Sequence, residues 1–341
     1  MTWRLQQQGQ DVILLEARER TGGRILSSCS GSDSTGCVDL GPAWVWPQYQ
    51  QRLDRLIKVL DVKLFKQFTD GDMLYESELE TVERYSGSSA HSESYRISGG
   101  GQSLTDVLQR QITASNIHLN TQVETIDQQT LTVFSSSGDK QLQFTADRII
   151  LTLPPRLIHQ AITFSPAVHE DLLQLWRSIP TWMAGHCKIV FKYEKPFWRQ
   201  QGLSGEVFSR SGPLAEIYDG SPASESYYAL TSFVSLTALQ RQTLQVEELK
   251  QSCMDQLQRL FGEDSVDVES IELKDWSIEK YTTTEIDLNS VVAHPSYPAS
   301  AARSFCNNKI IIAGTETAIE HGGYLEGALE SADYALSIVQ S

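Results

Sequence analysis

The apolar positions of this chain change their period several times, and the changes mark its organisation. Residues 2–8 read as the last turns of a helix, with Gly9 placed as its left-handed C-terminal cap. The apolar run 12–15 then reads as a strand ending in an acid, Glu16. After a polar loop and the segment D-L-G-P-A-W-V-W-P at 39–47, Leu53, Leu56, Ile57 and Leu60 recur at helical spacing. Residues 68–96 are polar and irregular, which predicts a short excursion from the main unit.

A second block opens at Ser98-Gly99-Gly100-Gly101 and leads into Leu104, Val107, Leu108 and Ile112, the stripe of an amphipathic helix. Strands are predicted at 118–123, 129–134 and 142–144. Residues 148–153 form a nearly continuous apolar run stopped by Pro154-Pro155, the pattern of a buried strand. From about 160 to 272 the texture turns to alternating strands with two helices. In 186–193, Cys187, Ile189, Phe191 and Tyr193 take one face, and His186, Lys188, Val190 and Lys192 the other. Residues 246–261 have helical spacing and 266–273 resemble a strand. The chain closes on an apolar strand at 310–313, the turn G-T-E-T-A and a helix at 324–339.

Composition narrows the class. A length of 341 residues, 40% hydrophobic and 21% charged, suits two compact globular domains. The formal net charge of -15 argues against nucleic acid and anionic membrane as partners. The five cysteines form no C-x-x-C pair and no zinc spacing, so no metal is expected. Their odd number suits free thiols, although Cys29 and Cys37 flank a Ser/Gly-rich loop that a bridge would close. No run approaches the roughly 20 apolar residues of a membrane span, so no anchor is expected and the cytoplasm is the expected location.

The candidate chemistry starts at Glu16. In a dinucleotide-binding fold an acid about 20 residues after a G-x-G-x-x-G turn holds ribose hydroxyls from its strand end. A solvated strand-end acid is the plain alternative. Arg18 and Arg24, separated by Gly22-Gly23, add guanidinium groups that match phosphate oxygens in a fork.

The run E-A-R-E-R-T-G-G-R at 16–24 resembles the segment after the first strand and helix of the flavin-containing amine oxidase family, which includes monoamine, polyamine and L-amino acid oxidases. The ending I-I-I-A-G-T-E-T-A-I-E-H-G-G-Y-L-E-G-A-L-E-S-A at 310–332 is similar to that family's C-terminal flavin signature. The resemblance implies an α/β fold: an FAD-binding, Rossmann-like domain of glutathione-reductase type with a smaller α+β substrate domain. Cofactor segments are expected at 1–67, 97–160 and 273–341, a short substrate-domain excursion at 68–96 and the substrate domain at 161–272.

The same resemblance assigns roles. Cofactor contacts are expected from Glu16, Ala17, Arg18, Gly23 and Arg24, from the turn Gly41, Pro42, Ala43 and Trp44, and from Val123 at the adenine edge. Trp276 and Tyr281 approach the flavin, and Gly314, Glu316, Gly323, Tyr324 and Leu325 complete its site. M-A-G-H-C-K-I-V-F-K-Y-E-K-P-F-W at 183–198 resembles the strand that brings a lysine, Lys188, to flavin N5, and Tyr324 matches one wall of an aromatic cage. A lysine on a strand is otherwise usually at a solvent edge. The implied reaction oxidises an amine or amino acid at the carbon bearing nitrogen, gives an imine, and reoxidises non-covalent FAD with oxygen to release peroxide. A desaturase or isomerase of carbon-carbon bonds shares both end motifs.

Departures from the pattern sharpen the expectations. Glu285 stands where monoamine oxidases attach flavin to cysteine, and Ile286 where they have the second cage tyrosine. Pro42 replaces a usual glycine and removes an amide donor. The family's opening strand and glycine turn would precede residue 1, between the strands 12–15 and 310–313. Met1 is therefore read as internal to a longer oxidase, the alternative being a decayed paralogue without flavin, and the 341 residues alone are expected to be colourless or poorly soluble. Substrate identity and oligomeric state are not written in the sequence.

Overall fold

The computed structural model describes residues 1–29, 36–87, 93–288, 294–297 and 303–340. The opening helix, Thr2–Gln7, ends where Gly9 adopts a φ of +75° and turns the chain back. The strand after it, Leu14–Leu15, pairs in parallel with Ile117–His118 on one edge. Helix Gln51–Val59 buries Leu53, Leu56 and Ile57 against Leu104 of helix Gln102–Arg110 and against Leu325 and Leu329 of the last helix, Leu325–Gln340. Its first turn is completed from far away. The buried Glu326 carboxylate accepts the backbone N–H of Arg52 at 3.0 Å and of Leu53 at 2.9 Å, placing negative charge on amides the helix cannot satisfy itself.

Ile149–Leu151 and Ile310–Ile312 run parallel, with Ser304–Phe305 beyond them. Both apolar runs are stopped as the sequence predicts, the first by Pro154-Pro155, where Pro155 opens helix Pro155–Ala161. A four-stranded sheet, in the order Lys140–Thr145, Thr132–Ser137, Gln122–Asp127 and Thr163–Ser165, shares one core with these strands. Phe164, Trp176 and Phe305 meet there at ring distances of 5.5 to 5.8 Å.

The largest sheet has seven strands, in the order Ser270–Asp275, Cys187–Tyr193, Tyr228–Val234, Leu214–Asp219, Leu203–Ser209, Asp72–Glu76 and Val82–Tyr85. Helix Val246–Phe261 covers one face, packing Leu249, Cys253 and Leu257 over Cys187, Ile189, Phe191 and Leu230. Each such side chain stabilises the fold by about 1.5–3 kcal/mol through burial. On the opposite face Val190 and Ala229 meet Val38 and Leu40, from the segment that leads to the 40–44 turn. Both faces are therefore buried, and every residue of Cys187–Tyr193 lies inside.

Several expectations change. The 68–96 excursion contains the regular strands Asp72–Glu76 and Val82–Tyr85, which extend the seven-stranded sheet; residues 88–92 of it lie outside the described residues. Its polarity is matched internally, since the buried Glu76 accepts from Arg259 Nε at 2.6 Å, Ser209 Oγ at 2.6 Å and Gln256 Nε2 at 3.1 Å. The predicted strand 118–123 divides into Ile117–His118 and Gln122–Asp127, because Asn120 takes a φ of +52° between them. Residues 160–272 hold more helix than predicted, including Glu170–Ser178, and the strand predicted at 266–273 runs at Ser270–Asp275. Cys29 and Cys37 are bonded to each other across paired strands; their intervening loop lies outside the described residues. No helix among the described residues is long and apolar enough to cross a membrane.

Candidate active site

The centre of the site is the turn from Leu40 to Trp44. Leu40 and Gly41 both donate their N–H to Leu26 O, at 2.9 and 3.0 Å. This approach demands glycine, because a Cβ on Gly41 would sit 2.3 Å from Arg24 O. The carbonyls of the turn serve two distant elements: Trp276 Nε1 donates to Leu40 O at 2.9 Å, and Lys188 Nζ donates to Gly41 O at 3.0 Å. Pro42 and Ala43 carry the turn on to Trp44, whose Nε1 donates to Gln67 Oε1 at 3.0 Å.

Lys188 is 3% exposed, and its ammonium lies 5.6 Å from the Phe233 ring centre and 5.8 Å from that of Trp44. Burial lowers its pKa from 10.5 to about 8, against the opposing pull of Asp39 and with a further push down from Arg96. Strand register places Lys188, Phe233, Glu216 and Phe208 in one row across four strands, hence on one face. Glu216 accepts from Tyr218 Oη at 2.7 Å, and the Tyr218 ring meets Trp44 edge-on at 5.0 Å. The result is an aromatic face with a lysine at one side and a carboxylate on the strand two spacings along, about 10 Å by backbone.

A second group of predicted residues lines the loop after the first strand. Glu16 Oε1 accepts from Arg18 N at 2.8 Å, across Ala17. Arg18 Nη2 donates to Thr282 Oγ1 at 2.8 Å and to Glu279 Oε2 at 3.2 Å, and its guanidinium lies over Tyr281. Tyr281 Oη in turn donates to Gln122 Oε1 at 3.2 Å, next to Val123. Arg24 makes a forked pair with Glu316, at 2.6 and 3.1 Å. Burial opposes the charge of Arg24 most strongly, yet the Glu316 pair outweighs it and the pKa rises. Gly23, at a φ of +57°, has open space where a side chain would project, and Gly314 starts the turn that carries Glu316. Two guanidiniums, an acid at a strand end and an uncovered glycine together fit the phosphates and ribose of a dinucleotide.

Tyr324, 43% exposed, lies apart from this group. Its carbonyl accepts from Thr315 Oγ1 at 2.7 Å, and Leu325 begins the last helix beside it. Its ring stacks on His294 at 4.9 Å with an interplanar angle of 8°. From His294 the contacts run through Trp182 at 4.9 Å and His186 at 5.8 Å to Phe233 at 6.3 Å, so a line of rings joins Tyr324 to Lys188. The second ring beside Tyr324 is therefore His294; Ile286 is a partly exposed aliphatic side chain and Glu285 is exposed. Sequence reasoning placed His186 on the Lys188 face and missed Trp182, His294 and Phe233. Gly323, at a φ of +83°, is the one sequence sign of that crowding, since a Cβ there would meet Trp182 and His294 at 3.1 Å.

The family model described as "Flavin containing amine oxidoreductase" matches residues 2–88 and 73–335. Among curated relatives, the "Probable flavin-containing monoamine oxidase A" of Dictyostelium discoideum is 28% identical over 246 residues, 69% of this chain and 51% of its own length. An L-amino acid dehydrogenase of Synechocystis is 26% identical over 216 residues, 62% of this chain and 44% of its own. The flavin-containing amine oxidase B of Sus scrofa is 26% identical over 244 residues, 70% and 45% respectively. The chain thus spans about half the length of the curated relatives it matches. Among solved structures, wild-type putrescine oxidase bound to putrescine has a TM-score of 0.81 at 20% identity, covering 99% of this chain and 95% of that one. Cyclohexylamine oxidase from Brevibacterium oxydans gives 0.81 at 18%, with the same coverage. These likenesses establish the fold.

Proposed function

The chain belongs to the flavin containing amine oxidoreductase family, and from that premise we propose that it is an FAD-dependent oxidase of amines. In this reading it oxidises the carbon bearing nitrogen to an imine and returns its electrons to oxygen as peroxide. Residues 1–67, 97–160 and 273–341 hold the cofactor, and 68–96 with 161–272 form the substrate side. FAD, held without a covalent link, supplies the two-electron acceptor. Arg18 and Arg24 hold its phosphates, Glu16 its ribose, and Val123 its adenine edge, with Trp276, Tyr281, Gly314, Gly323 and Leu325 around it.

The observation that carries the reading is Lys188: a buried amine, with pKa about 8, presented beside the 40–44 turn on an aromatic face. Its Nζ holds a proton at the reacting side, and a group that titrates near neutrality suits that task. Trp44, Phe233 and Tyr218 exclude water from an amine placed on that face and orient it by their ring faces. Tyr324 guards the outer end.

Within amines, the row from Lys188 to Glu216 favours a substrate with a second cation. Glu216 stands two strands from Lys188 on the same face, where its carboxylate can pair with a second ammonium, and putrescine is the ligand in one similar structure. The test is a peroxide assay on protein carrying bound flavin, with diamines, monoamines and amino acids. Diamines are expected to give the highest kcat/KM, and Glu216→Gln to raise KM for them about tenfold while sparing monoamines. Flavin-bound protein that releases no peroxide from any amine refutes the reading.

A further inference from the structure

Lys188 also lines a small space beside the 40–44 turn. It has about 10 Å³ of room for the centre of a water molecule, and its walls include Asp39, Trp44, Gln67, Arg96 and Thr231. That is the space one buried water occupies, provided two to four polar atoms face it. Three do. Asp39 is 3% exposed; its Oδ1 accepts from Ser27 Oγ at 2.6 Å and Gly101 N at 2.7 Å, while its buried Oδ2 has no partner among the described residues. Thr231, 7% exposed, has a buried Oγ1 in the same condition. The Lys188 ammonium donates one hydrogen to Gly41 O and has two others to give.

We propose that one water in this cavity joins Lys188 Nζ, Asp39 Oδ2 and Thr231 Oγ1, and that through it Asp39 acts as the positioning residue that keeps Lys188 protonated. The water accepts from Nζ and donates one hydrogen to the carboxylate and one to the hydroxyl. All three side chains are more than nine-tenths buried, so each polar atom left without such a partner would carry its full desolvation cost.

Other charged groups facing Lys188 do not take over this role. Arg96 shares the cavity wall and opposes a second cation, and Asp219 is engaged by Arg199 Nε at 2.7 Å and Trp198 Nε1 at 2.9 Å. Lys274 and Glu216 stand in the same row one and two strands away, and His186 precedes Lys188 by two positions. Asp39 is the anion that raises the proton affinity of Lys188 against its burial.

The inference rests on Lys188 being the working lysine of the proposed reaction, but its test needs neither flavin nor amine. In protein labelled with ¹³C at the lysine ε-carbons, the Lys188 signal is identified by its loss in Lys188→Met and followed against pH. The wild-type midpoint is expected near 8, as its burial dictates. Asp39→Asn is expected to lower it by about one pH unit, the order of effect of losing a nearby opposite charge, and Thr231→Val by less. The remaining lysine signals report whether each variant is folded. An unmoved midpoint in folded Asp39→Asn overturns the proposal. Should that variant not fold, an unmoved midpoint in Thr231→Val does so, as does a high-resolution crystal structure of the wild type with no water joining the three atoms. A peroxide assay that fails while the titration behaves as expected refutes the oxidase reading alone.

Discussion

Replacing Lys188 with methionine is expected to remove activity and yet stabilise the protein. Methionine has similar length and flexibility but no charge to desolvate. The ammonium is depressed from 10.5 to about 8, roughly 2.5 pH units, which at 1.36 kcal/mol per unit corresponds to about 3 kcal/mol of penalty in the folded state. Loss of the bond to Gly41 O returns about 1 kcal/mol, so the net gain at pH 7 is about 2 kcal/mol. Below pH 8 both folded and unfolded lysine are charged and the penalty is complete. Between about 8 and 10.5 the unfolded chain holds a proton the folded one has shed, so wild-type stability climbs with pH through that window relative to the variant. Urea unfolding followed by tryptophan fluorescence at pH 7 and pH 10 measures both effects, and a Tm gain of about 2–4 °C at pH 7 accompanies them. A methionine variant no more stable than wild type at pH 7, or a gap that stays the same at both pH values, would refute the reasoning.

Arg24→Met leaves the fully buried Glu316 without its forked partner and is expected to cost about 3 kcal/mol in urea unfolding, together with bound flavin measured by absorbance. Gly41→Ala drives a methyl into Arg24 O and shifts the acceptor of Lys188; a loss of about 1–3 kcal/mol and most of the activity is expected, and an unchanged enzyme would show that the turn yields. Glu326→Ala uncaps helix Gln51–Val59 at a cost of about 1–2 kcal/mol, visible as a lower urea midpoint with an unchanged slope. His294→Ala frees the Tyr324 face, and KM for aromatic amines is expected to fall several-fold while KM for small amines stays put.

What could be read from the sequence were the features whose cause is local. Helix Val246–Phe261 falls where its spacing puts it, since one face packs on a sheet and the other meets water. Ile149–Leu151 and Ile310–Ile312 are legible because strands covered on both sides need continuous apolar runs. Lys188 and His186 were assigned to one face by alternation alone. Illegible features depend on partners distant in the chain. Asp72–Glu76 looks like loop until Arg259 and Gln256 are seen to satisfy Glu76 inside the sheet. Lys192 looks solvated until its ammonium is found paired with Glu272 over the Tyr227 ring. The His294 stack had one sign in the sequence, Gly323, unreadable alone because the slot also depends on Trp182 and His294 being brought to it by the fold. The Cys29–Cys37 bond was left open, because the sequence shows two cysteines flanking a loop but not the strand pairing that sets them opposite each other.

The reach of Glu326 to helix Gln51–Val59 bears on how the protein is made. That contact spans 274 positions, the Arg24–Glu316 pair spans 292, and the Arg4–Asp333 pair spans 329. In each, a cation or an unpaired helix amide within residues 1–59 finds its carboxylate only beyond residue 310. Contacts of such long sequence separation carry a larger loop-closure cost than local ones and form more slowly. Removing helix Leu325–Gln340 would thus leave Arg4, Arg52 and Leu53 without these partners, so that helix acts as a fastener for residues 2–59.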